Sequence, residues 1–126
     1  NLDQAVTYIN TVAEKWNCIV AVTGATDLVS DGKKCYVIRN GVKEMSRVTG
    51  TGCQLSGLLT AFVSANMECP LEASAAAVCT MGLAGEIALT HMSPYEGNAT
   101  YRNRIIDAVY NMDSKTLEKG ARYELR

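Results

Sequence analysis

The chain has 126 residues, 48% of them apolar and 20% charged, as expected of one folded domain or part of a larger one. With a net charge of −1 and scattered basic residues there is no electrostatic footprint for nucleic acid, and no such partner is expected. No window reaches the roughly 18 uninterrupted apolar residues of a membrane span, so no membrane partner is expected either, and Ala73 to Leu89, which carries Glu86, reads as a buried helix.

Asp3 is expected to cap a first helix, whose apolar positions Val6, Ile9, Val12, Ala13 and Trp16 follow helical spacing. Asn17 ends it. Cys18 to Val22 is a continuous apolar run rich in β-branched residues, which predicts a strand buried on both faces of a parallel sheet. Thr23-Gly24 then permits a sharp turn. Asp27 to Ser30 and Cys35 to Arg39, joined by Asp31-Gly32-Lys33, predict a β-hairpin. Asn40-Gly41 supplies another turn, and Met45 to Val48 is expected to form one more strand.

After Thr49-Gly50-Thr51-Gly52-Cys53, Leu55, Leu58, Leu59, Phe62 and Ala65 line one side of a helix. Pro70 fits the first turn of the next helix, which runs to about Leu89. Its small residues, among them Ala77, Gly82 and Gly85, allow a neighbour to approach closely. Tyr101, Ile105, Val109 and Met112 mark a further amphipathic helix, and Asp113 or Ser114 is placed to cap a short last one.

The layout is α/β, with few strands for so many helices. A missing half carrying the rest of the sheet would resolve the mismatch. The chain also begins at Asn1 rather than Met, already in a helical pattern. On this reading the isolated segment exposes an apolar sheet face and associates strongly.

The five cysteines, 18, 35, 53, 69 and 79, form neither a CxxC pair nor a zinc pattern. A reducing cytoplasm is the simplest setting. Cys18, Cys35, Cys69 and Cys79 read as packing residues, Trp16 and the tyrosines likewise, and Asp27 and Asp31 as turn residues rather than metal ligands. His91, the one histidine, is placed to face the carbonyls at a helix end.

The informative segment is Arg47-Val48-Thr49-Gly50-Thr51-Gly52-Cys53, where an apolar run meets a Gly-x-Gly turn and a helix start. The first N–H groups of a helix lack internal partners and carry roughly half a positive charge. Glycines let that backbone approach a bulky anion, and the product is a hole for phosphate oxygens. A Gly-x-Gly turn is equally compatible with a tight connection that binds nothing. No Gly-Lys-Ser/Thr follows, so this is not a Walker loop, and Gly57 lies too far along to complete a dinucleotide fingerprint.

Val48 to Cys53 resembles the anion-hole motif of the hydroxyethylthiazole kinases, ribokinase-like enzymes of thiamine metabolism. Most ribokinase-like kinases carry Asp as the catalytic base where Cys53 stands, and a Cys there distinguishes the thiazole kinases. Ala21 to Asp27 resembles that family's nucleotide-side strand, and the likeness extends through Gly82-Leu83-Ala84-Gly85-Glu86. It covers about the second half of a family member. Residues 1–126 are therefore expected to be the C-terminal part of a single ribokinase-like domain, a three-layer α/β/α sandwich, without its N-terminal half.

The resemblance implies transfer of the ATP γ-phosphoryl group to the hydroxyl of 4-methyl-5-(2-hydroxyethyl)thiazole in thiamine biosynthesis or salvage. Thr23 would contact ATP, and Thr51 and Gly52, with the Cys53 backbone, would form the anion hole. Gly50 would lie near the substrate hydroxyl. Cys53 would orient that hydroxyl and accept its proton late. Phosphoryl transfer has a loose transition state, so alignment and charge stabilisation matter more than a strong base. Mg2+, a cytoplasmic homotrimer and metal ligands from the other half are implied as well; no metal ligand is named in this chain. A hydroxymethylpyrimidine kinase is a rival that Cys53 argues against. A rival of another class is a non-catalytic fragment that binds nucleotide or assembles with partners.

Overall fold

A computed structural model describes all 126 residues, and the molecule is a small antiparallel sheet held between helices. The first helix, α1 (Leu2–Trp16), is capped by the Asn1 side chain, which accepts from Asp3 N–H at 2.9 Å. Asp3 itself, the expected cap, lies in the first turn. There its charge suits the positive end of the helix. Asn17 closes α1 in the left-handed region, at φ 49°.

The sheet has the order β1 (Val20–Val22), β2 (Asp27–Ser30), β3 (Cys35–Ile38), β4 (Tyr123–Leu125), each neighbour antiparallel to the last. The expected hairpin is β2–β3, with Ser30 opposite Cys35. The parallel, doubly buried strand expected at residues 18–22 is instead a short antiparallel outer strand, with Ala21 and Val22 exposed. Apolar continuity reports that a strand is buried in its complete setting, not which way its neighbour runs.

Alternation along the strands divides the core in two. Leu28, Cys35 and Val37 face α1 and pack with Val6 and Ile9. Val29 and Ile38 face the opposite way, into the larger core built on α3 (Pro70–Thr90). Both faces of β2 and β3 are thus covered, and the broad bare sheet face expected from the sequence shrinks to the outer strands, with Val22 of β1 and Tyr123 and Leu125 of β4 exposed.

The segment expected as a strand at 45–48 forms a 3-10 turn, Lys43–Arg47, that leads into α2 (Thr51–Ala65). Met45 lies against Gly85, where any side chain on α3 would collide with the thioether. That contact curls the segment instead of extending it. Helix α2 buries Leu55 alone, with Leu58 and Leu59 partly covered. Helix α3 is long and apolar enough to cross a bilayer, yet 72% of its apolar window is buried inside the protein. It is the central core helix, as its small-residue composition implied.

Helix α4 (Asn98–Tyr110) packs along α3 through Tyr101 and Ile105, and Tyr101 Oη donates to Gly85 O at 2.8 Å. His91 closes α3, with Nδ1 2.9 Å from Ile87 O. Asp113 caps α5 (Ser114–Gly120), accepting from Thr116 N–H. Strand β4, not foreseen, then returns the chain to the sheet. Tyr123 stacks edge-on against Tyr36 at 5.7 Å, Glu124 pairs with Arg39, and Arg126 pairs with Asp3 of α1.

Gly82 is where α3 touches the corner after β3, because a Cβ there would meet the Asn40 carbonyl carbon at 2.7 Å. Gly57 of α2 has open space around it. Gly82→Ala is expected to lower unfolding stability by about 1–3 kcal/mol through overpacking. Gly57→Ala is expected to raise it by about 0.5–1 kcal/mol through helix propensity. Urea unfolding of the two variants checks the opposite signs.

Candidate functional site

A cleft of about 580 Å³ opens where four pieces of chain meet. The β1–β2 loop contributes Thr23, Gly24 and Ala25, the first residue of β2 adds Asp27, and the start of α2 contributes Thr51, Gly52 and Leu55. Asn40 to Ser46 form the facing wall, and Val78, Met81 and Gly82 of α3 form the floor. Three of the residues singled out from the sequence, Thr23, Thr51 and Gly52, therefore border one cavity although nearly thirty positions separate them. Gly50 and Cys53 flank the same helix start but do not line the cleft; the Cys53 thiol is exposed.

The helix start is built for an open backbone. Gly50 caps α2 with φ 98°, a conformation that strains any residue with a Cβ. The first helical hydrogen bond runs from Gln54 N–H to Gly50 O at 3.0 Å, which leaves the N–H groups of Thr51, Gly52 and Cys53 ahead of the ladder. An added Cβ on Gly50 or Gly52 would meet no atom within 4 Å, so this space is free for a ligand. Val48, buried in the main core, anchors the approach.

Asp27 holds the opposite loop. Its Oδ1 accepts from Gly24 N–H at 2.9 Å, which shapes the turn after β1. Burial pushes its carboxyl above the usual value, against the lowering effect of that hydrogen bond. Asp27 thus acts as the turn residue the sequence indicated, though at the edge of the cavity. It is the one acidic cleft residue and Lys43 the one basic residue. No group of three His, Cys, Asp or Glu side chains converges anywhere in the chain. Of the remaining cysteines, Cys35 and Cys79 are buried, the Cys79 thiol being pushed up to about 11 by burial and by Asp27.

Sequence reasoning missed the facing wall and what supports it. Glu86, on α3, accepts from Gly41 N–H at 2.7 Å and from Asn40 Nδ2 at 3.2 Å. Arg122 clamps both of its oxygens, at 2.7 and 3.0 Å. Burial pushes the Glu86 carboxyl up, but the hydrogen bonds from Arg122, Gly41 and Asn40 outweigh it and hold the group below its ordinary value of 4.5. The one available signal was a lone acid in an otherwise small and apolar helix.

A group with a depressed folded value stabilises the protein fully above its unfolded value, and that contribution is lost as pH falls through the folded one. The unfolding midpoint of the parent chain should therefore fall more steeply below about pH 4.5 than that of Glu86→Gln. Thermal unfolding at a series of pH values checks this.

Comparison with known proteins places these features in a family context. The model of the hydroxyethylthiazole kinase family matches residues 1–115. A hydroxyethylthiazole kinase from Clostridium acetobutylicum is 46% identical over 123 residues, which is 98% of this chain and 45% of that protein. One from Arabidopsis thaliana is 36% identical over 115 residues, 91% of this chain and 41% of its own length. The solved structure of a hydroxyethylthiazole kinase protein from Pyrococcus horikoshii OT3 superimposes with a TM-score of 0.88 at 33% identity. That likeness covers 98% of this chain and 47% of the solved one. The chain spans somewhat under half the length of the curated relatives it matches.

Proposed function

This chain belongs to the hydroxyethylthiazole kinase family, and on that premise we propose that the whole protein transfers the γ-phosphoryl group of ATP to the hydroxyl of 4-methyl-5-(2-hydroxyethyl)thiazole. The observation that carries the reading is the cleft in which Thr23 faces the open helix start at Thr51-Gly52. Residues 1–126 would be the C-terminal part of one kinase domain, completed by a further segment of about equal length.

The cleft takes the nucleotide. Thr23 would contact its phosphates from the β1–β2 loop, and the N–H groups of Thr51, Gly52 and Cys53 would receive the oxygens of the transferring phosphoryl group. They are dipoles already oriented before the reaction, so they need no reorganisation as charge shifts. Gly50 would border the acceptor alcohol, beyond the cleft. The alcohol oxygen attacks the γ-phosphorus, the bond to the bridging oxygen of ADP breaks, and Cys53 orients the hydroxyl and takes up its proton late. In a loose transition state that alignment is worth more than basicity.

Magnesium, a homotrimeric assembly and a cytoplasmic setting belong to the same reading, supported by family membership alone. Asp27 is the only carboxylate lining the cleft, so the ligands that complete a magnesium site would come from the nucleotide and from the rest of the enzyme.

The test is a coupled ADP-release assay on the whole protein with MgATP and hydroxyethylthiazole. Thiazole-dependent release is expected, with Gly50→Val and Gly52→Val each lowering kcat by about 10²-fold or more. Cys53→Ser should lower kcat by at least about tenfold. Full rate in the serine variant would remove Cys53 from the mechanism. A folded protein without turnover would favour the non-catalytic nucleotide-binding or assembly reading.

A further inference from the structure

We propose that Glu86 is a positioning residue for the nucleotide, fixing the Asn40–Gly41 wall of the cleft so that it sets affinity for ATP without touching it. The proposal rests on the reading that the cleft binds ATP. It draws on a network that the anion hole does not include.

Asn40 and Gly41 line the cavity, yet no backbone hydrogen bond outside the regular elements anchors either of them. What holds this corner is side-chain bonding. Asn40 is only 6% exposed, and both ends of its amide are engaged. Its Nδ2 donates to Glu86 Oε1 and to Gly120 O at 3.0 Å, while Oδ1 accepts from Arg122 N–H at 2.7 Å. Gly41 lies in the left-handed region at φ 109°, and its N–H has Glu86 Oε1 as its partner. Arg122 ties Glu86 to the end of β3 as well, donating to Arg39 O at 2.9 Å. Packing on Gly82 and the bonds to Gly120 and Arg122 hold Asn40, and Glu86, on the same helix as Gly82, is the group that also fixes Gly41.

The wall serves the nucleotide side specifically. The residues assigned to ATP, Thr23, Thr51 and Gly52, share the cleft with Asn40 and Gly41, whereas Gly50 and Cys53, assigned to the alcohol, lie outside it. Loosening the wall should thus weaken nucleotide binding and leave the acceptor side alone. Glu86→Gln keeps the size of the side chain and still offers an acceptor to Gly41. Because Gly41 and Asn40 share Oε1, the amide nitrogen then takes the place of Oε2 and faces an Arg122 N–H; two donors cannot satisfy each other, and the clamp on the wall opens.

In the whole enzyme, Glu86→Gln is expected to raise KM for ATP, and Kd for a non-hydrolysable ATP analogue, by about tenfold. The kcat and the KM for the thiazole should stay within about twofold. A purely structural role would lower the melting point and the active fraction with KM for ATP unchanged, and that result overturns the proposal. If Glu86→Gln does not fold, Arg122→Met removes the clamp from an exposed position and should shift the same two constants; unchanged constants there overturn it equally. If the unaltered protein binds the analogue but shows no thiazole-dependent turnover, the kinase reading fails while the binding comparison still decides the role of Glu86. No analogue binding by the unaltered protein overturns both.

Discussion

A methyl group added at Gly82 would lie 2.7 Å from the carbonyl carbon of Asn40, so α3 and the corner after β3 meet backbone to backbone. The contact determines much that follows in the chain. With the corner pressed onto the helix, Glu86, one turn further along, reaches Gly41 N–H. Met45 lies over Gly85, and Val48 enters the main core. Only then does Gly50 turn the chain into α2, with its free N–H groups beside the β1–β2 loop. A bulkier residue at either glycine of α3 would displace the corner, the 3-10 turn and the start of α2 together.

The energetic weight lies away from the chemistry. The larger core runs from Val29 and Ile38 through Val78, Met81 and Ala84 to Tyr101 and Ile105, and α1 closes the other face of the sheet. Helix α2 depends on this frame but adds little to it, since it buries Leu55 alone. Its start is held by Val48 before it and Leu55 one turn into it, while its glycines remain uncovered. On the proposed reading, a site that admits a bulky anion would gain from this division. Backbone left open to a ligand forgoes packing, and a core that ends two residues away supplies the rigidity instead.

Much of this frame could be read from residue patterns, because the signals were local. The spacing of Val6, Ile9 and Ala13, the Asp31-Gly32 turn, Pro70 and the Asp113 cap each act within a few residues of themselves. Two expectations failed because the deciding partner is remote. Cys18 to Val22 looked like an interior parallel strand, but within this chain its Val20–Val22 part pairs antiparallel with β2. Met45 to Val48 looked extended, but Gly85, some forty residues on, curls it. Strand β4 and the Glu86 network were invisible for the same reason, since both need Tyr123 and Arg122 brought to residues more than eighty positions earlier. For the site, the glycine turn was legible, whereas that Thr23, Thr51 and Gly52 line one cleft is seen only in the fold. The facing wall had no local mark.

The charge balance of the cleft shows how much of the proposed chemistry this segment can supply. Lys43 and Asp27 are its only charged lining side chains and are opposite in sign, so the side chains offer no net positive charge. A helix start contributes roughly half a unit charge through its N–H groups, enough to orient a phosphoryl oxygen but far short of neutralising a triphosphate. On the proposed reading, the remaining cations must come from outside these residues, as metal or as basic side chains of the rest of the enzyme. The division has a kinetic meaning. On that reading this segment would supply alignment, through the glycine-capped helix, Cys53 and the wall held by Glu86, and alignment is what a loose phosphoryl transfer requires of fixed groups. Neutralisation can arrive with the nucleotide and its metal, so the two contributions need not be encoded in the same half of the chain.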